Sequence, residues 1–160
     1  NGAVVVIKTD DLPPETDEEY CNTMVALDQS AGDASVGLTF EECMKAIADE
    51  RSQGGGITVT TTTTDANGVF EVKTPTVVNE FNIIVSGGTN SITSQPNESK
   101  FEVSSRIGFH VNPASEMASA LYKGGMAIED AKQRVVDFVN EDFDNVDGLT
   151  KADLLSLIHI

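Results

Sequence analysis

The side chains with the number and spacing to do chemistry are carboxylates. Residues 9–19 (TDDLPPETDEE) hold Asp10, Asp11, Glu15, Asp17, Glu18 and Glu19, six carboxylates in eleven residues. Such a run repels itself unless water or a cation screens it. Asp10, Asp11 and Asp17 are the candidate ligands there. A second concentration, residues 141–155 (EDFDNVDGLTKADLL), holds Asp142, Asp144, Asn145, Asp147 and Asp153. Oxygen donors of this kind suit calcium, a hard cation. Over the whole chain 26 acidic residues stand against 10 basic ones, a formal net charge of -16. That balance argues against nucleic acid and anionic membrane surfaces, both of which need clustered Lys and Arg. The alternative to metal binding is an acidic, well-solvated surface.

The spacing in the second loop bears on the choice. Asp147-Gly148 stands at an Asp-Gly turn of the kind found in EF-hand or dockerin-type calcium loops. Counting back from Gly148 places Phe143 where the first Asp belongs, and Asp153 comes one residue early. Two readings stand: a modified calcium loop, or an acidic turn that caps the last helix.

Other reactive groups form no constellation. Cys21 and Cys43 are the two cysteines. In an oxidising compartment they pair, close a loop of about twenty residues and contribute on the order of 3 kcal/mol; otherwise they are two buried thiols. There is no C-x-x-C redox motif. His110 falls in an apolar stretch that reads as a strand and His159 near the end of the chain, without the spacing of a zinc site. No G-x-S-x-G elbow occurs, and residues 54–56, three glycines, lack the Lys of a phosphate loop. Asn97-Glu98-Ser99 fits a glycosylation acceptor, a short pattern that recurs by chance.

The elements that must position these groups are mostly strands. At 160 residues and 39% hydrophobic, with mean hydropathy -0.13, the chain holds one domain with a real core, and no apolar run spans a membrane. It opens without Met or a basic segment, as a mature product or excised fragment would. The organising stretch is residues 57–72 (ITVTTTTTDANGVFEV). Thr and Val are branched at Cβ and suit a pleated strand. Asp65-Ala66-Asn67-Gly68 breaks the alternation, and Asn-Gly predicts a hairpin whose return strand is residues 69–72. Residues 3–8, 80–85 and 100–111 read as further strands, the last with a kink near Ser104-Ser105.

Helices interrupt and follow the strands. Residues 18–27 read as a short helix. Thr39 and Glu42 have capping-box spacing ahead of a helix whose face is Phe40, Cys43, Met44 and Ile47, stopped at residues 52–56. After Pro113, residues 115–122 are helical in composition with Ser115 as N-cap. Residues 127–139 form the strongest amphipathic pattern, with Ile128, Ala131, Val135 and Phe138 on one face and Val136 and Val139 widening it. Residues 151–158 read as a last short helix. The expectation is a mainly β, α+β chain. Residues 1–112 form an antiparallel β-sandwich with a helical insertion at about 20–56, and residues 113–160 form a helical segment docked on it.

In order, the segments Gly2-Ala3-Val4-Val5, the acidic run to residue 19, residues 63–70 (TTDANGVF), residues 85–89 (VSGGT) and residues 111–115 (VNPAS) resemble modules of large bacterial secreted and surface proteins. Those modules have a carboxypeptidase-regulatory-like, transthyretin-like or Ig-like β-sandwich, often followed by a small helical region. The resemblance covers most of the chain except about residues 20–56, and departs where the family carries P-L-T-T after the proline. It implies an extracellular or cell-surface location and a non-enzymatic spacer, adhesive or assembly unit. It also implies one more strand ahead of residue 2, whose absence leaves an open edge.

Two classes of function follow. The first is a self-associating structural subunit of a surface fibre, sheath, filament or adhesin. A strand from another copy fills the open edge, donated by residues 2–8 or by the apolar residues 154–160, with calcium bridging acidic subunits. The second is a carbohydrate-binding module of a larger surface protein, which the lack of Trp and the presence of only Tyr20 and Tyr122 count against.

Overall fold

The computed structural model describes residues 2–10, 12–90 and 93–142, the last three without their side chains. The described chain alternates strands and helices: β1 (Val4–Thr9), α1 (Asp17–Ser30), α2 (Phe40–Gln53), β2 (Ile57–Thr63), β3 (Asn82–Ser86), β4 (Lys100–Ser104), α3 (Pro113–Lys123) and α4 (Ile128–Asp142). The protein is therefore α+β. Its strands make one four-stranded antiparallel sheet in the order β2-β1-β3-β4. The second, facing sheet that a sandwich requires is not among the described residues.

The chain divides into two compact units. Of the described residues, one takes 6–62 and 71–81; the other takes 2–5, 63–70 and 82–142. The expected boundary near residue 112 falls inside the latter unit.

β1, whose residues divide between the two units, alternates as a strand should: Val5, Ile7 and Thr9 are buried, while Val4 is partly exposed. Its central place in the sheet shows that residues 2–8 are used by their own fold and are not a free donor strand, which corrects the expectation. Glycine-poor and acidic in its first turn, α1 starts with Asp17, Glu18 and Glu19 at the positive end of the helix dipole. It outruns the expected residues 18–27 at its C-terminal end and buries only Tyr20 and Cys21. The capping box of α2 forms as expected. Thr39 Oγ1 accepts from the Glu42 N–H at 3.2 Å, and Glu42 Oε2 accepts from the Thr39 N–H at 3.0 Å. Of its predicted face only Cys43 and Ile47 are buried; Phe40 stays exposed. Cys21 and Cys43 form a disulfide between α1 and α2.

In the second unit, β3 and β4 pair antiparallel, from Asn82 opposite Ser104 to Ser86 opposite Lys100. The strand expected over residues 100–111 ends at Ser104, where the kink was placed, and Ser104 accepts the Ile107 N–H in a turn. His110 lies in the irregular segment beyond it, exposed, rather than in a strand. The Asp65 turn forms: Asp65 Oδ1 accepts from the Asn67 and Val69 amides at 2.8 and 2.9 Å, and Gly68 takes φ 78°. This is a type I turn closed by a left-handed glycine.

The return strand is absent. Asp65 and Val69 share one backbone bond, residues 69–72 are irregular, and Val69 is 62% exposed. The sheet order gives β2 the neighbour β1 instead. β1 is the more apolar and β-branched partner, so more surface leaves water in that pairing.

Helix α3 lays Ala114, Ser115, Ala118 and Ser119 against the sheet side; small residues allow close approach to β4. Its N-cap is Asn112, not Ser115. Asn112 Oδ1 accepts from the Ser115 N–H at 2.8 Å, and Ser115 Oγ accepts from the Asn112 N–H at 3.0 Å. Val103, Ile107, Ala114, Ala118 and Val135 make the core of this unit. Ala131, Val135 and Val136 are buried on α4, whereas Phe138 is 41% exposed, so the buried stripe is rotated from the expected one.

Candidate functional site

The backbone of a sheet edge is itself a reactive surface, because its outward N–H and C=O groups can pair with another strand. The two edges here are β2 and β4. Each meets side chains from helices of its own unit.

At β2, the turn of α1 that carries Cys21 also carries Tyr20, 2% exposed. Its hydroxyl donates to the Thr58 carbonyl at 2.9 Å. From α2, Glu50 Oε2 accepts the Thr58 N–H at 2.7 Å. In an antiparallel strand one residue's N–H and C=O point the same way. Thr58 thus turns both groups to the helices. Burial first, and the charge of Glu50 second, hold the Tyr20 phenol well above its usual pKa, so it stays a donor. The Cys21–Cys43 bridge ties together the two helices that supply these side chains. A second tie is Arg51 of α2. It donates to both carboxylate oxygens of Asp17, at 3.1 and 2.5 Å, and to the Leu12 carbonyl at 2.7 Å. Further along β2, Thr60 and Thr62 are half-buried and Thr61 and Thr63 are exposed.

At β4, the Glu102 N–H donates to Glu116 Oε1 at 3.2 Å, and the Ser104 N–H to Ser119 Oγ at 2.9 Å. Both acceptors come from α3. Lys123 adds an ion pair to Glu102 at 2.5 Å.

Of the candidate metal ligands, Asp10 and Asp17 are the two whose side chains are described. Asp17 is committed to Arg51. Asp10 is exposed just past β1, and Asp11 lies outside the described residues. Asp142 ends α4 with its side chain undescribed, and Asp144, Asn145, Asp147 and Asp153 lie outside the described residues, as do His159, the expected helix 151–158 and residues 154–160. Among the described residues, no three His, Cys, Asp or Glu side chains converge as a metal site would need. The acidic run instead forms one wall of an open depression of about 590 Å³ on α1, lined by Glu15, Glu18, Glu19, Asn22, Thr23 and Ala26.

Comparison with protein-family models, with curated proteins and with solved structures returns no match. Site chemistry is therefore read from geometry alone. Asp28, half-buried, accepts from the Val36 and Leu38 amides and the Ser35 hydroxyl, at 2.8, 2.9 and 2.7 Å. The Val36 amide first, then these other bonds, hold its pKa below the usual carboxylate range. Glu42 and Asp65 are lowered in the same manner, by Thr39 and by Val69 and Asn67. These carboxylates order loops; none faces a reactive partner. Asn97 is half-buried, and its Oδ1 accepts from the Ser99 N–H at 3.2 Å. Among the described residues no helix is long and apolar enough to cross a membrane.

Sequence reasoning did not find Tyr20, Glu50, Glu116 or Ser119 as edge-binding groups. Nothing in α2 distinguishes Glu50 from its acidic neighbours. Only the adjacency of Tyr20 to Cys21 marks it as inward-facing.

Proposed function

We propose that this chain is a non-enzymatic extracellular structural module whose copies join one another in a surface fibre, sheath or adhesin. The observation that carries it is the edge strand β2. Residues 53–64 (QGGGITVTTTTT) carry no charge in a chain of net charge -16, and Thr61 and Thr63 of that strand are exposed. Edge strands that must stay alone usually carry Lys, Pro or inward charge. The disulfide suits an oxidising compartment. The likeness to carboxypeptidase-regulatory-like sandwich modules points the same way. With residues 2–8 built into the sheet, residues 154–160 (LLSLIHI) remain the donor candidate from sequence.

Calcium is proposed to bridge the acidic surfaces of neighbouring copies. The test is light scattering and negative-stain microscopy of the purified chain with and without millimolar calcium. Assemblies that grow with concentration are expected, larger with calcium.

A further inference from the structure

Both edges of the sheet have backbone groups taken up by side chains of helices in their own unit, but only β4 also carries charge. β4 carries Lys100 and Glu102 along its length, so a second copy of β4 would meet charge. β2 carries none, and Ile57–Thr63 is β-branched throughout. Pairing two copies of β2 antiparallel about a two-fold axis sets uncharged Thr and Val against one another, a favourable cross-strand arrangement with no like-charge penalty. What stands at this edge instead of charge is the pair of bonds at Thr58: Tyr20 Oη to its carbonyl and Glu50 Oε2 to its amide.

We propose that the disulfide-linked α1–α2 pair is an edge guard: Tyr20 and Glu50 occupy the strand-pairing groups of Thr58 and so hold off antiparallel pairing of β2 with β2 of a second copy. The guard rests on the self-association proposed above and adds its control. It has three features that a guard needs. Its two contacts take both groups that strand addition at Thr58 would use. They come from two helices, and a covalent bond between Cys21 and Cys43 keeps those helices together. Tyr20 is packed to 2% exposure, so the phenol does not swing away with a surface rotamer. The guard ends at Thr58, which leaves the exposed end of β2 as the place where a neighbour first lands and the guarded end as the step that the helices oppose.

The test uses the full oxidised chain and three variants: Tyr20→Phe, Glu50→Ala and the two combined. Tyr20→Phe keeps the buried ring and removes only the hydroxyl. Sedimentation velocity over a concentration series gives the half-association concentration, and hydrogen exchange reports the amides of residues 58–63. The combined variant is expected to associate at about a hundredfold lower concentration than the parent, because each of the two copies in a two-fold pair loses two competing hydrogen bonds. Newly protected β2 amides should accompany it. If the combined variant loses its native circular dichroism, Tyr20→Phe alone decides, with a shift of about tenfold expected, one bond lost from each copy.

Parent and variant associating equally overturns the guard and leaves the module's self-association standing. Association of the variant beside a strictly monomeric parent supports the guard and overturns constitutive assembly. Monomers throughout, with native spectra, overturn both. Thr61→Lys in the variant background places charge on the edge and is expected to restore the parent's behaviour; full association despite it would overturn pairing through β2.

Discussion

Single carboxylates in this protein do most of their work by gathering backbone N–H groups. Asp28 holds the segment between α1 and α2 through Ser35, Val36 and Leu38, and Asp65 closes its own turn. Their folded pKa values lie below the ordinary range, as does that of Glu42. The sign follows: the contribution is present above the unfolded value, about 4 for such groups, and is lost as pH falls through the folded values. A pH titration watched by NMR should therefore show the Val36 and Leu38 amides shifting only below about pH 4, with no change between pH 5 and 8. Asp28→Asn should raise the hydrogen exchange of the same two amides while leaving α3 and α4 unaffected. Arg51 is a second residue-scale case. Removing it as Arg51→Met leaves Asp17 half-enclosed and the Leu12 carbonyl without this donor. A loss of about 1–3 kcal/mol is expected in urea denaturation.

Elements show where the sequence was legible and where it was not. Local codes were read well. Thr39 and Glu42 announced α2, the apolar residues 3–8 announced β1, and the Asp65–Gly68 turn formed. Thr39→Ala should cost about 1 kcal/mol by denaturant titration, and Asn112→Ala as much or more because its cap is fully buried. Pairing was not legible. A turn signal licensed a hairpin, but β2 found β1, some fifty residues earlier in the chain, because burial of Val5 and Ile7 outweighs a short return strand at residues 69–72. Side-chain roles that depend on that pairing, Tyr20 and Glu50 at Thr58 above all, were invisible for the same reason. The disulfide is the favoured of two readings from sequence and is formed in the structure. Cys21→Ala with Cys43→Ala should lower stability by about 3 kcal/mol, read as a fall in denaturation midpoint. Gly88 is a sharper local test. It holds φ 81°, and a Cβ there would stand 2.8 Å from the Ala3 amide nitrogen. Gly88→Ala should destabilise by at least about 1–2 kcal/mol for the backbone conformation alone.

At the scale of the molecule, the central tension is between charge and edge. Sixteen net negative charges keep copies apart in solution, most strongly at low salt. An uncharged edge strand invites them together once that field is screened. Self-association should therefore rise with ionic strength, and rise further with calcium at matched ionic strength if acidic surfaces are bridged. Equal effects of sodium and calcium at matched ionic strength would leave screening alone. The most direct measurement is the mass of the oxidised chain in solution, by light scattering over a hundredfold concentration range, with and without calcium. Species heavier than one chain, growing with concentration, are predicted; a single 17.0 kDa particle under every condition would contradict the proposal that this protein exists to join copies of itself.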